Sequence, residues 1–318
     1  MTILITGASG FVGSAVLQHL QDINASVRPV LRSTASASRE ISYAEETMLV
    51  PTLDANTNWS AALVGVETIV HCAARVHVIH DEVEDPLTEY RRINVEGTLN
   101  LARRAVTAGV RRFIFISSIK VNGESTQPGR PFNAEDVPAP EDAYGISKAE
   151  AEAGLQQLAH ETRMELVIIR PVLVYGPGVK GNFASLLRWL QCGLPLPLGS
   201  IKNNRRSLLA LDNLVDLICI CINHPRAAGQ TFLVSDDEDL STIDLLQRMS
   251  QVIGYPTRLL PVPLAALRLA ARVLGKSNMV ERLIGSLQVD ITKTRDLLGW
   301  RPLLTVDEGL RRLMQGRQ

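Results

Sequence analysis

The chain has 318 residues, 46% of them hydrophobic and 21% charged, an ordinary globular balance with room for one large unit and a smaller one. Lys+Arg and Asp+Glu both total 33, so the chain as a whole lacks the basic excess that marks nucleic-acid or anionic-membrane proteins. No run of about 18 uncharged apolar residues occurs, which excludes a spanning helix.

Residues 2–6 (TILIT) read as a buried strand, so the fold is expected to start there with no leader before it. A glycine-rich turn, 7–13, and an amphipathic helix from Phe11 to Gln21 follow. Residues 26–31 (SVRPVL) form a second strand, in which Pro29 suggests an edge or a frayed start. Residues 32–46 are polar and Ser-rich and read as a mobile loop. Strands are predicted at 67–72, 112–117 and 165–170, with long helices at 87–108 and 143–163 between them. Continuous apolar strands alternating with helices predict a parallel sheet covered on both faces.

After Pro171 the texture changes to recurring Gly and Pro between 176 and 199. The expected organisation is α/β. A Rossmann-type doubly wound parallel sheet occupies 1–175, with 207–235 returning to it, and a smaller, mainly substrate-binding domain occupies 176–318. The apolar stretch 261–275 is interrupted by Arg268 and Arg272 and reads as a packed helix, with membrane docking as the alternative.

The first glycine cluster, Gly7-Ala8-Ser9-Gly10-Phe11-Val12-Gly13, has the spacing G-x-x-G-x-x-G. Early glycines let the backbone turn tightly against a pyrophosphate, the last lets the helix approach the strand, and the helix N-terminus offers N–H groups to the anion. Readers of NAD usually carry a carboxylate at the end of the second strand. Here the segment is Leu31-Arg32-Ser33, with Arg28 nearby. A guanidinium can pair with a 2′-phosphate, so the cofactor is expected to be NAD(P)(H), leaning to NADP(H).

Tyr144 and Lys148 stand four apart at the start of a helix and share a face. A free phenol titrates at about 10, and a neighbouring ammonium favours the phenolate, making an acid or base usable near neutrality. Ser117 and Ser118 close the preceding strand and offer a hydroxyl to the same substrate oxygen. Cys72, Cys192, Cys219 and Cys221 form no C-x-x-C pair and read as reduced, buried thiols of a cytoplasmic protein. His77 and His80 have no third ligand at useful spacing, so no metal is expected.

With these marks in place, the sequence resembles the extended short-chain dehydrogenase/reductase family, UDP-glucose 4-epimerase-like branch. Further marks are His71-Cys72-Ala73-Ala74, Asn94-Val95-Glu96-Gly97-Thr98, Arg170-Pro171, Tyr175-Gly176-Pro177, Asn182-Phe183, Arg206 before Asp212-Asn213-Leu214, and Leu298-Gly299-Trp300. The resemblance implies that Gly7, Gly10 and Gly13 hold the cofactor pyrophosphate with backbone N–H groups of Phe11 and Val12. It places Leu53 near the adenine, with Asp54 as the other register, and lines the cofactor path with Ala73 and Ala74. Asn94 would brace the central strands. It makes Ser118 the catalytic hydroxyl, Tyr144 the acid/base, and Lys148 its modulator and ribose ligand.

The same resemblance puts Asn182 and Arg206 on the substrate diphosphate, with Arg205 as the competing arginine, and Lys120 and Asn122 near the sugar. Ser118-Ile119-Lys120 replaces the Thr-Asp-Glu of 4,6-dehydratases, so dehydration is disfavoured. Ser286-Leu287-Gln288 falls where epimerases gate N-acetyl groups. The implied substrate is a UDP-sugar and the implied assembly a homodimer through the helices at 87–108 and 143–163. Two chemistries fit: 4-keto reduction of a UDP-4-keto-6-deoxy-N-acetylhexosamine for surface polysaccharide, favoured on the NADP(H) lean, or 4-epimerisation. A non-catalytic NADP-binding sensor is the third alternative, against which the intact Ser118, Tyr144 and Lys148 speak.

Overall fold

The computed structural model describes residues 1–33, 47–76, 85–127, 129–179, 181–193, 195–256, 258–275 and 277–315, without the side chains of Asn182, Asn278 and Gln315. The expected loop beyond Ser33, His77, His80 and the Asn182 side chain lie outside what is described.

The main sheet contains β1 (Thr2–Thr6), β2 (Ser26–Leu31), β3 (Met48–Leu49), β4 (Val66–His71), β5 (Arg112–Ile116), β6 (Glu165–Pro171) and β9 (Gln230–Val234). Their order is β3-β2-β1-β4-β5-β6-β9 and every pairing is parallel. The strands are buried on both sides, and their residues alternate between two cores, as a period of two requires. Ile3, Ile5, Ile114, Ile116, Val167 and Ile169 face one core, under α1 (Phe11–Asp22) and α6 (Leu211–Asn223). Leu4, Ile69, Phe113, Phe115, Leu166 and Ile168 face the other, under α3 (Thr98–Thr107) and α4 (Ala143–Glu161). The strand order reverses beside β1, the place where open α/β sheets bind ligands.

Two expectations change in detail. β2 is not frayed at Pro29, which pairs in register with Ile5. Its other neighbour, β3, pairs only with Val30 and Leu31, so the proline falls where β2 still has one partner. The helix expected over 87–108 is wound in three pieces: α2 (Pro86–Tyr90), a π-wound stretch Arg91–Gly97, and α3. The π turn carries Asn94 inward. Gly97 there packs on Leu53 so closely that a Cβ would lie 2.9 Å from the Leu53 carbonyl oxygen.

A second sheet holds β7 (Leu173–Tyr175), β8 (Arg206–Ala210) and β10 (Asp239–Leu240). With α5 (Gly181–Gln191), α7 (Thr242–Ile253) and α11 (Val306–Gln315) it encloses a third core around Tyr175, Phe183, Leu208, Leu246 and Leu310. Within 207–235, α6 and β9 therefore pack with the main sheet, whereas β8 belongs to this smaller one. Helices α8 (Leu264–Val273), α9 (Ser277–Ile284) and α10 (Thr292–Leu298) complete the C-terminal part. Among the described residues no helix is long and apolar enough to cross a membrane.

Candidate active site

A continuous cleft of about 1110 Å³ runs across the C-terminal ends of the central strands, between the two parts of the fold. At one end lies the glycine turn. Gly7 has φ +68°, and a Cβ on it would sit 2.7 Å from the Ala73 nitrogen. A Cβ on Gly13 would come within 2.2 Å of the Gly7 carbonyl oxygen. Gly10 is the N-cap of α1, no side chain caps the helix, and Phe11 and Val12 face the cleft. The N–H groups of the first turn are thus presented to an anion. Beyond the turn, Arg32, Val50, Leu53 and Trp59 line a mostly apolar slot, and Ala73 and Ala74 form its floor. Among the described lining residues no carboxylate stands at this end. These residues fit the pyrophosphate, ribose and adenine of a dinucleotide. Arg28 does not contribute. It is buried and donates to the carbonyls of Ala62 (2.9 Å) and Val64 (2.6 Å). Asp54 also faces elsewhere, accepting from Thr57 and lying 3.7 Å from Arg92.

Midway along the cleft, Ser118, Tyr144 and Lys148 converge. The two serines that sequence left in competition divide their roles. Ser117 is buried and donates to Glu152 Oε1 at 2.5 Å. Ser118 caps the short 3₁₀ turn Ile119–Val121, its Oγ accepting the Lys120 N–H at 3.2 Å, which leaves its proton for a substrate oxygen. Tyr144 is the second residue of α4, whose N-cap Asp142 accepts from Gly145 N at 2.7 Å. The Tyr144 ring meets Tyr90 edge-on at 6.1 Å. Lys148 follows one turn later, fully buried. Its Nζ donates to Ile116 O at 2.8 Å and lies 4.3 Å from the Phe115 ring centre and 6.0 Å from that of Tyr144.

The electrostatics differ from the simple expectation of a lysine lowering a phenol. Burial pulls the Lys148 ammonium down to about 8, against the opposing pull of Cys72 and Glu152. Burial pushes the Tyr144 phenol above its ordinary value, and Asp142 and Tyr90 add to this. The reason is positional: the ammonium points at a backbone carbonyl, while the Asp142 carboxylate stands two residues before the phenol. His71 is buried between Thr6 Oγ1 (2.7 Å) and Thr98 Oγ1 (2.9 Å) and stacks on Phe115. Burial and Lys148 press it down to about 3, so it is a neutral strut rather than an acid or base. Burial pushes the Cys72 thiol up to about 12, which removes it as a nucleophile. Among the described residues no metal-ligating cluster occurs.

The far end is lined by residues from the smaller part. Arg206 faces the cleft and donates to the carbonyls of Arg282 (2.8 Å) and Gly285 (3.2 Å). Burial and the neighbouring Arg282 both push its pKa down. Arg205, the competing arginine, is spent on the carbonyls of Lys202 and Asn204 and does not line the cleft. Lys120 lines it, with Nζ bound by Glu124 Oε1 at 2.6 Å and by Asp142. Arg282 approaches the same two carboxylates from α9 at 3.5 and 4.0 Å. This arginine was not legible in the sequence, because its only mark is its place four residues before Ser286. Of the Ser286-Leu287-Gln288 trio, Leu287 faces the cleft.

Two expected roles are corrected. Asn122 does not reach the sugar: it is buried, accepts from Arg170 Nη1 at 2.9 Å and donates to Asn133 O at 2.9 Å. It completes a buried pair in which Arg170 grips Glu152 through Nε and Nη2. Asn94 does not brace the central strands. It bonds both backbone groups of Arg75 and the Ser147 hydroxyl, holding the segment after β4 against α4.

Residues 3–235 match the model of the NAD dependent epimerase/dehydratase family. The UDP-glucose 4-epimerase of Vibrio cholerae is 49% identical over 319 residues, covering 99% of this chain and 94% of that one. The crystal structure of UDP-glucuronic acid 4-epimerase from Bacillus cereus in complex with NAD superposes with a TM-score of 0.78 at 19% identity, over 99% and 98% of the two chains. That of UDP-glucose 4-epimerase with UDP-glucose from Thermotoga maritima also gives 0.78, at 21% identity, over 100% and 98%. These two likenesses show a shared fold.

Proposed function

The chain belongs to the NAD-dependent epimerase/dehydratase family, and from that premise we propose that it is a UDP-sugar 4-epimerase. One observation carries the reading: Ser118, Tyr144 and Lys148 sit in the same cleft as the glycine turn, with Arg206 and Arg282 at its other end. A dinucleotide laid from Gly7 to Lys148 leaves the remaining length for a nucleotide diphosphate sugar. The 49% identity with a named UDP-glucose 4-epimerase supports this chemistry over its alternatives.

When bound, the nicotinamide supplies the redox partner for the sugar C4 and, in its oxidised form, a positive ring charge. The chain supplies position and proton control. Ser118 Oγ donates to the C4 oxygen and orients it. Tyr144 Oη takes or returns that oxygen's proton. Lys148, anchored on Ile116 O, holds the ribose and sets a cation on the tyrosine's face of the cleft. Arg206 and Arg282 hold the diphosphate, and Lys120 faces the hexose. Leu287 leaves more room than a tyrosine at the same place, which suits an N-acetylhexosamine as well as a hexose. The same reading pairs two copies through α3 and α4, where Leu99, Gly154 and Leu158 border a shallow surface hollow, in a cytoplasmic enzyme.

A second reading has its own support. Arg32 directly follows β2, where a carboxylate would read an unphosphorylated ribose, which favours NADP(H) and hence 4-keto reduction of a UDP-4-keto-6-deoxy-N-acetylhexosamine. One experiment separates the two. One portion of the purified enzyme is denatured and its bound nucleotide identified; native portions are incubated with UDP-glucose and UDP-N-acetylglucosamine while the C4 epimers are resolved by NMR, and with NADPH and the UDP-4-keto-6-deoxy-N-acetylhexosamine. Retained NAD and epimerisation without added cofactor support the first reading. Stoichiometric NADPH consumption with the keto sugar, and no epimerisation, replaces it with the second. In either case Tyr144→Phe is expected to lower kcat by about 10²–10⁴-fold with cofactor affinity unchanged.

A further inference from the structure

The C-terminal part carries a surface that chemistry at C4 does not use. Helix α8 turns Leu267 and Ala271 inward and leaves Leu269, Val273 and the adjoining Leu274 exposed at 64%, 79% and 68%. Leu269 and Val273 are four apart and form one ridge, which the exposed Ala266 and Ala270 widen. Arg268 and Arg272, also four apart, flank it. Arg268 is paired with Glu281 at 2.9 Å, whereas Arg272 makes no ion pair among the described residues.

Along the chain from 245 to 280 the charge has one sign, and the first acid beyond it, Glu281, is the one paired with Arg268. Between residues 245 and 280 the sequence has Arg248, Arg258, Arg268, Arg272 and Lys276, and no Asp or Glu. Arg248 is neutralised from outside the stretch by Glu238 and Asp307. The local excess is hidden in a chain whose 33 positive and 33 negative residues cancel. An apolar ridge with cationic flanks and no acid between them matches the boundary between anionic headgroups and acyl chains. A second copy of the chain is a poorer occupant, because a two-fold contact on this ridge would set Arg272 against its own counterpart.

We propose that α8 docks this enzyme peripherally on an anionic bilayer, with Leu269, Val273 and Leu274 in the headgroup layer and Arg272 on the phosphates. Helix α8 packs against α9, whose Met279, Arg282 and Leu283 line the cleft. Docking therefore sets the substrate cleft beside the membrane surface. The inference stands whichever C4 chemistry the cleft performs.

The test is co-sedimentation of the full chain with phosphatidylglycerol-containing vesicles and with pure phosphatidylcholine vesicles, at low and high salt. The expected result is binding to the anionic vesicles only, weakened by salt, with the bound fraction falling about tenfold in Leu269→Gln/Val273→Gln and less in Arg272→Gln. Far-UV circular dichroism checks that the variants keep their helices. Amide exchange on the wild type supplies a readout free of mutation: anionic vesicles should slow exchange across 264–274. The proposal is overturned if the wild type stays in the supernatant at low salt, or if the double variant binds equally well. It is equally overturned if the double variant lowers the oligomeric state in lipid-free sedimentation, which would make a second copy the occupant.

Discussion

Lys148 shows how much the site asks of one residue. Its ammonium is buried, and burial brings its pKa down to about 8 from an ordinary 10.5. The folded chain holds that proton less tightly than the unfolded one. The penalty is therefore present in full below pH about 8 and fades as pH rises toward 10.5. Lys148→Met is expected to stabilise the protein at pH 7 by about 1–2 kcal/mol, after the loss of the Ile116 carbonyl's partner is counted. The gain should shrink in melts at pH 10, and activity should be lost. Asp142 acts in the opposite direction on the phenol, raising it. Asp142→Asn keeps an N-cap acceptor for Gly145 but removes the charge. The limb of the pH–rate profile that belongs to Tyr144 should then move to lower pH.

At the scale of the element, the catalytic helix is held by charge as well as by packing. The Glu152 carboxylate receives Ser117, from the end of β5, and Arg170, from β6, so α4 is keyed to two strands at once. Removing one partner leaves the other buried and uncompensated. Glu152→Ala is expected to destabilise by about 3–5 kcal/mol in denaturant titration, and Glu152→Gln by less. This network marks where sequence reading stopped. Tyr144, Lys148 and the glycine turn were legible because their spacing fixes a local geometry. So were the strands, because each one is buried on both faces and reads as an apolar run. The family resemblance alone put Asn122 near the sugar. Only the three-dimensional fold shows it turned away toward Arg170. The π winding around Asn94 left no periodic trace, since one extra residue in a turn does not disturb the apolar spacing enough to be read.

Across the whole molecule, residues far apart in the chain meet in one cleft. Arg32 defines one end of the cleft, and Arg32→Glu should weaken binding of NADP relative to NAD by about tenfold or more, read as the ratio of Kd values. Arg282, from α9, defines the other end, and its contribution depends on packing between two sheets that no local pattern encodes. Beside it, Lys120, Glu124, Asp142 and Arg282 form one ring of alternating charge between the nucleotide-binding sheet and the C-terminal helices. Asp142 belongs both to that ring and to the cap of the helix that carries the phenol. On the proposed reading of the cleft, the grip on the substrate and the proton affinity of Tyr144 are wired through a shared carboxylate. Selecting this enzyme for a new sugar by altering the ring would also retune its working pH, so specificity and acidity cannot drift independently in its descendants.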